Sequence, residues 1–384
     1  MHIEAMDANE EFKDDEYDDD KEEEEEEEEV HAARGYVVKA QNDWVLLRHM
    51  FPCRAGGVPA WLDPVNIPSE KTCFCDICGE PLQFLLQVYA PIIEKDSTFH
   101  RTLFVFMCLS MTCLRSDQHE RKCGREKQSR SVKVFRCQLP RVNAFYDCEP
   151  PKDDGSSKPK ANGAPLCTWC GTWKGVKICG CCRKARYCSQ KHQVMHWREG
   201  HKPECHKFSA SQSSRSSDQN IIDGRSSREM PKVASKTLWP EFKIVPDSES
   251  DGSTSFDDAH SNSSVITQEM DGTSESMLES YEGDGDDDKR KSGAILRYSR
   301  DERAEPLWRE KSSRSSKADI PNCSYCHGPM NFEFQIMPQL LYYLRVKNEV
   351  ESLDWATIVV YTCADSCVSS LSYKQEFAWV QLYS

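Results

Sequence analysis

The residues of this chain best equipped for chemistry are its 20 cysteines and 11 histidines. Most of the cysteines fall in C-x2-C to C-x4-C pairs, the spacing at which two thiolates reach one metal ion. The densest block, CTWCGTWKGVKICGCCRKARYCSQKHQVMHWREGHKPEC, holds four donor pairs: Cys167 with Cys170, Cys179 with Cys182, Cys188 with His192, and His201 with Cys205. Eight thiolate and imidazole donors suit two tetrahedral zinc sites, and a closed four-donor shell is structural because it leaves no position for a substrate water. In so short a segment the metal would supply most of the folding free energy, about 10 kcal/mol or more per site. The competing reading is a cysteine-rich loop without metal. Cys181 is an extra thiol that could exchange with Cys182.

Two further cysteine pairs lie far apart but share one pattern. CDICGEPLQFLLQ and CSYCHGPMNFEFQ both fit C-x2-C-x2-P-x2-F-x2-Q, aligning Cys75, Cys78, Pro81, Phe84 and Gln87 with Cys323, Cys326, Pro329, Phe332 and Gln335. Each copy continues through a proline (Pro91, Pro338) and an apolar strand to a second pair, Cys108 with Cys113 and Cys363 with Cys367. This reads as two zinc-ribbon-like repeats with one ion each, pairing into a pseudo-symmetric β unit. Separate or shared ions, and plain reduced core thiols, stay open as alternatives. Cys73 rivals Cys75 as a ligand, and His327 competes near Cys326. Cys53, Cys123, Cys137 and Cys148 have no paired spacing and are expected to be buried thiols.

The elements that must position these donors are mostly strands. FLLQVY (84–89), LFVFM (103–107), VKVFRC (132–137) and TIVVYTC (357–363) have strand composition, and PQLLYYLRVK (338–347) reads as a helix. The expected fold is a mixed, β-rich, zinc-bound domain of two pseudo-repeated halves, interrupted by a small inserted finger and by long acidic disordered segments. The expected boundaries are an acidic tail at 1–33, the first half at 34–150, a linker at 151–165, the finger at 166–206, a Ser/Asp-rich linker at 207–293 and the second half at 294–384. Within the second linker LWPEFKIV (238–245) is the one apolar island, expected to dock back onto a folded unit.

The formal net charge of −14 conceals a strong asymmetry. Residues 1–29 carry 18 acids against Lys13 and Lys21, and residues 247–288 carry 14 acids and no lysine or arginine. The remaining 47 bases and 31 acids leave the rest of the chain at about +16. The mean hydropathy of −0.69 places much of the chain outside any core. No apolar run is long enough for a membrane helix and the N-terminus lacks a signal-peptide pattern, so an intracellular, soluble protein is expected. In a reducing compartment cysteine pairs favour metal over disulfides. The basic run Arg115–Arg136 reads as a solvated loop; lacking interleaved aromatics, it argues against direct nucleic-acid binding. The Ser-acid cluster at 247–258 is a candidate for phosphorylation. No nucleotide-loop, nucleophile-elbow or H-E-x-x-H motif is present, which argues against an enzyme.

The central block, with Tyr187-Cys188, His196-Trp197 and His201-Lys202 before Cys205, resembles a MYND zinc finger. That resemblance implies interleaved sites, with Cys167, Cys170, Cys188 and His192 on one ion and Cys179, Cys182, His201 and Cys205 on the other. His192 stands where most such fingers have cysteine. HMFPCRAGGVPAWLDP, FHRTLFVFMC, VFRCQLPRVNAFY, FEFQIMPQLLYYL and DWATIVVYTCADSC, taken with the finger, are similar to the programmed cell death protein 2 family. Cys53 and the acidic N-terminus depart from its usual pattern. The resemblance implies a non-enzymatic chaperone that captures a newly made, basic small-subunit ribosomal protein for ribosome biogenesis, acting in cytoplasm and nucleus. It also implies a link to transcriptional cofactor complexes and programmed cell death, in which the finger would bind a proline-containing peptide near Trp197 or Trp173, although either tryptophan more often serves packing in so small a finger. Strand addition at a β-edge of the end repeats is the expected client contact, with the acidic tracts screening charge.

Overall fold

Every residue of HRTLFVFM (100–107) is buried, and alternate side chains take opposite sides. Leu103, Val105 and Met107 enter one aliphatic cluster, while Phe104 and Phe106 enter a second, aromatic one. A strand buried on both faces must lie between two packed layers. In the computed structural model, which describes residues 32–122, 129–212, 233–246, 293–310, 314–349 and 351–383, those layers are a barrel interior and a docked finger. Most of the expected acidic tail and Ser/Asp-rich linker, the Ser-acid cluster and Cys123 lie outside the described residues.

The barrel draws its strands from both ends of the chain. The first group is β1 (Ala33–Val38), β2 (Arg54–Ala55), β3 (Gln83–Tyr89), β4 (His100–Met107) and β5 (Val132–Leu139). Strands β6 (Lys177–Ile178) and β7 (Arg186–Tyr187) form a separate two-stranded sheet in the finger. The barrel resumes with β8 (Phe242–Pro246), β9 (Leu296–Tyr298), β10 (Met330–Ile336), β11 (Thr357–Cys363) and β12 (Tyr373–Gln381). Around the closed barrel the order is β1-β8-β2-β3-β4-β5-β12-β11-β10-β9, with β1 also pairing β9. All these pairings are antiparallel.

Around the closed sheet each strand pairs a neighbour on either side. The octet at 238–245 does dock: Gly57 N donates to Trp239 O at 3.0 Å, and β8 pairs β1 and β2. Gly56 permits that approach. It sits at φ +66°, and a Cβ there would lie 1.8 Å from the Pro240 carbonyl oxygen.

The interior is aliphatic at one end and charged at the other. Arg101 and Arg136 share strand parity with Leu103 and Val134, so they point inward with them. Arg101 pairs with Glu333 on β10, across the barrel, and Arg136 with Glu376 on the neighbouring β12, each at 2.5 Å. This corrects part of the expectation of a solvated basic loop, Arg125 and Lys127 lying outside the described residues. Arg115 is exposed on α1 (Met111–Lys122), but Arg130, Lys133 and Arg136 are buried in ion pairs. The expected helix at 338–347 is confined to α4 (Gln339–Tyr343). No helix of the described residues is long and apolar enough to cross a membrane.

Candidate metal centres

Four C-x2-C turns share one backbone device. The N–H of the residue four positions after the first cysteine donates back to that cysteine's carbonyl: Gly79 to Cys75 at 2.9 Å, Gly171 to Cys167 at 2.8 Å, Arg183 to Cys179 at 3.0 Å and His327 to Cys323 at 2.8 Å. All four donors have left-handed φ, between 53° and 72°. For the non-glycine residues Arg183 and His327 this costs about 1–2 kcal/mol. The turn brings both thiols of each pair to one side.

The second donor pairs arrive on regular elements. Cys108 follows β4 directly and Cys113 lies in the first turn of α1; Cys363 ends β11 and Cys367 lies in the loop after it. In the finger, Cys188 follows β7, and His192 sits in the first turn of α2 (Gln190–His196), whose N-cap Ser189 side chain accepts from His192 N at 3.1 Å. His201 ends a π-turn and Cys205 lies in α3 (Lys202–Gln212).

The structure brings these residues into four sets: Cys75, Cys78, Cys108, Cys113; Cys167, Cys170, Cys188, His192; Cys179, Cys182, His201, Cys205; and Cys323, Cys326, Cys363, Cys367. Within each set all donor atoms lie within 4.8 Å of one another. Two thiolates bound tetrahedrally at a zinc–sulfur distance of about 2.3 Å sit about 3.8 Å apart. The observed separations match: Cys78–Cys108 3.6 Å, Cys170–Cys188 3.9 Å, Cys179–Cys205 3.7 Å, Cys323–Cys367 3.7 Å and Cys326–Cys363 3.6 Å. His192 Nδ1 lies 3.1 Å from Cys188 Sγ, and His201 Nε2 lies 3.5 Å from Cys182 Sγ. All these cysteines are free thiols. Donor type, number and spacing therefore fit zinc.

Position, not acidity, separates these thiols from the others, since burial raises Cys113 to about 11 and Cys170, Cys205 and Cys363 to about 12. A hydrogen bond with Cys108 draws the Cys75 thiol down to about 5, while the same bond and burial drive Cys108 upward. Burial likewise raises Cys53 to about 11, and Cys73 and Cys137 to about 12, but these three join no donor set. Cys73 bonds to the Pro68 carbonyl, and neither it, Cys181 nor His327 joins a donor set. Cys148 and Cys181 are exposed, against the expectation of a buried thiol at Cys148.

Partners around the sets escaped sequence reasoning because they lie on other elements. Asp76, inside the first C-x2-C turn, accepts from Lys133 Nζ at 2.7 Å and from Arg130 N at 3.1 Å. The available signal was Lys133 and Arg136 interrupting the otherwise apolar strand VKVFRC.

The finger is seated firmly on the barrel. Trp173 is fully buried, donates to Leu82 O at 2.8 Å and packs 4.3 Å from the Phe106 ring, while Trp61 donates to Thr172 O at 2.7 Å. Trp173 therefore has no surface for a peptide, whereas Trp197 is 37% exposed. The segment after the finger returns along it, with Ala234 N donating to Thr168 O at 3.1 Å and Ser235 N to Trp169 O at 3.0 Å.

Comparison with known proteins agrees with this geometry. Family models for the programmed cell death protein 2 N-terminal domain, the MYND finger and the programmed cell death protein 2 C-terminal domain match residues 32–153, 167–205 and 288–382. Programmed cell death protein 2 of Bos taurus is 36% identical over 362 residues, covering 90% of this chain and 94% of that protein. The Rattus norvegicus protein is 36% identical over 364 residues, covering 90% and 95%, and the Homo sapiens programmed cell death protein 2-like protein is 28% identical over 346 residues, covering 82% and 85%. No solved structure matches the chain. On this evidence the chain belongs to the programmed cell death protein 2 family.

Proposed function

We propose that this protein is a non-enzymatic, zinc-dependent chaperone that holds a newly made, basic ribosomal protein of the small subunit and escorts it between cytoplasm and nucleus. The observation that supports the non-enzymatic part of this reading is that sixteen candidate donors gather into four sets of four, so that an ion in each would keep no open position for catalysis. Two zinc ions belong to the finger and one to each end set. The ends act as two halves of one pseudo-repeat. In support, each carries a bulge at the same motif position, Phe84/Leu86 on β3 and Phe332/Phe334 on β10. The motif glutamines are buried in both, Gln87 bonding Ala60 N and Pro52 O, and Gln335 bonding both backbone groups of Leu307. The barrel gives the client a rigid outer surface, and the acidic tracts of the sequence screen its charge.

The test is a mass-spectrometric census of co-purifying proteins after nuclease treatment, comparing wild type, Cys75→Ser/Cys78→Ser and Cys167→Ser/Cys170→Ser. Loss of one ribosomal protein in the first variant alone places the client on the end halves. Retention of it in both variants, or recovery only in nuclease-sensitive form, rejects the reading.

A second reading has its own observation. Val176, just before β6, and Ile178 within it are 48% and 45% exposed, close in sequence to Lys177 and Arg183. With Trp197 they supply the apolar and cationic surface a proline-containing peptide of a nuclear adaptor complex would use. Trp197→Ala abolishing such a peptide's binding while leaving the ribosomal client bound would assign the two functions to separate surfaces.

A further inference from the structure

The last cysteine set takes its outer partners from the other end of the chain. Glu376 on β12 accepts from Cys363 N at 3.1 Å and pairs with Arg136 Nε on β5 at 2.5 Å. Arg136 Nη1 donates to Cys367 O at 3.3 Å, and its Nη2 lies 3.9 Å from Cys367 Sγ. Gln138, also on β5, donates to Ser366 O at 3.0 Å, and Lys95 in the β3–β4 loop donates to Asp365 O at 2.7 Å. Three consecutive carbonyls, of residues 365, 366 and 367, are thus held by side chains from the 32–153 segment.

The chemistry asks for such a partner. Four thiolates and one zinc ion leave two negative charges on a mostly buried cluster, and burying uncompensated charge is costly. Arg136 is fully buried, with its guanidinium directed at a ligand sulfur and fixed by Glu376. The first cysteine set differs, since its Asp76 is held by Arg130 and Lys133 from the same segment.

We propose that Arg136 and Glu376 are positioning residues for the Cys323, Cys326, Cys363 and Cys367 site, so that this site holds metal tightly only when β5 is seated in the barrel. The inference rests on reading that set as a zinc site. Metal affinity at the C-terminal end then reports folding of the N-terminal end, and a chain with an unseated N-terminal half releases that ion first.

The experiment uses the full-length, zinc-loaded protein, with Arg136→Met, Arg136→Lys and Glu376→Gln, titrated with EDTA. Bound zinc is counted by native mass spectrometry, and cysteine alkylation is mapped by peptide mass spectrometry. In the Met and Gln variants one ion should leave at about 10- to 100-fold lower chelator than in wild type. Cys323, Cys326, Cys363 and Cys367 should alkylate while Cys75, Cys78 and the finger ligands stay protected, and Arg136→Lys, keeping the charge, should lie between. Wild-type release curves for all ions overturn the proposal, and so does simultaneous exposure of all four sets in both Arg136→Met and Glu376→Gln, which would mean a general packing role. Wild-type protein in which Cys326 alkylates freely without any ion leaving would refute the zinc reading itself, and the proposal with it.

Discussion

At the residue scale, donor spacing was legible because two ligands from one turn must be close in sequence. Ion pairs across the barrel were not, since 232 residues separate Arg101 from Glu333 and nothing local marks either as a partner. Glu333 accepts from both Arg101 amines, from Thr362 at 2.5 Å and from Tyr298 at 3.2 Å. Burial alone would raise its carboxyl, but Arg101 and these bonds bring it below its ordinary value. A carboxyl depressed in the folded state stabilises fully above its unfolded value of about 4.3 and loses that contribution as pH falls through the folded value. Glu333→Gln should therefore cost about 3–5 kcal/mol at pH 7 by leaving Arg101 buried without its anion. The gap between wild type and variant in urea denaturation should narrow only below about pH 4.5, a comparison that cancels acid release of metal common to both. A gap independent of pH would refute the ion-pair account. Trp173→Ala tests a second residue, for which the sequence offered a place near a peptide groove beside the commoner role of packing. Removing it from between Phe106 and Trp61 should cost about 3–5 kcal/mol, and limited proteolysis should then cut first at the finger–barrel junction while the finger ligands stay protected.

At the element scale, the core strands were legible because continuous aliphatic and aromatic runs survive without context, as in β4 and β11. The helix at 338–347 was overestimated. Leu340, Leu341 and Leu344 all pack into the barrel cluster, and Arg345 at φ 55° ends the turn after five residues. Helical spacing was present, but tertiary packing used only one turn of it. Strand exchange at the seam was invisible to periodicity. β1 begins the folded N-terminal segment yet pairs β9, while β8 precedes the C-terminal segment yet pairs β2, so each end lends a strand to the other. Gly35 lies at the crossing, registered with Pro246 on one side and Leu296 on the other. A Cβ there would approach Ile244 to 3.0 Å and Leu296 to 3.1 Å. Gly35→Val should consequently destabilise the protein by about 1–3 kcal/mol and raise amide exchange in β1, β8 and β9 before the rest of the barrel. Uniform exchange changes would mean that the seam is no weaker than the other ladders.

At the scale of the whole molecule, the four cysteine sets fasten different things. Each end set joins residues just before one strand to residues just after its partner, Cys75 and Cys78 with Cys108 and Cys113 around β3–β4, and Cys323 and Cys326 with Cys363 and Cys367 around β10–β11. Zinc at these sets, as proposed, would pin the open ends of a hairpin whose ladder is already hydrogen-bonded. The finger has only a two-residue ladder and, on the proposed zinc reading, would depend on metal for its fold. Accessibility runs the other way: every finger-set cysteine is buried, while each end set has one exposed cysteine, Cys78 and Cys326. On the proposed four-ion reading a chelator should therefore strip the two end ions first, although losing them costs the fold least. Native mass spectrometry during EDTA titration should show a populated two-zinc species, with Cys78 and Cys326 alkylating ahead of Cys167 and Cys179. Far-UV circular dichroism of that species should retain the barrel signal, with a lowered thermal midpoint. Only removal of the second pair should unfold the finger and expose Phe104, Phe106 and Phe135, the aromatic face it covers, to a hydrophobic dye. Finger ions leaving first, or all four in one step, would mean that docking against the barrel protects the finger less than its burial implies.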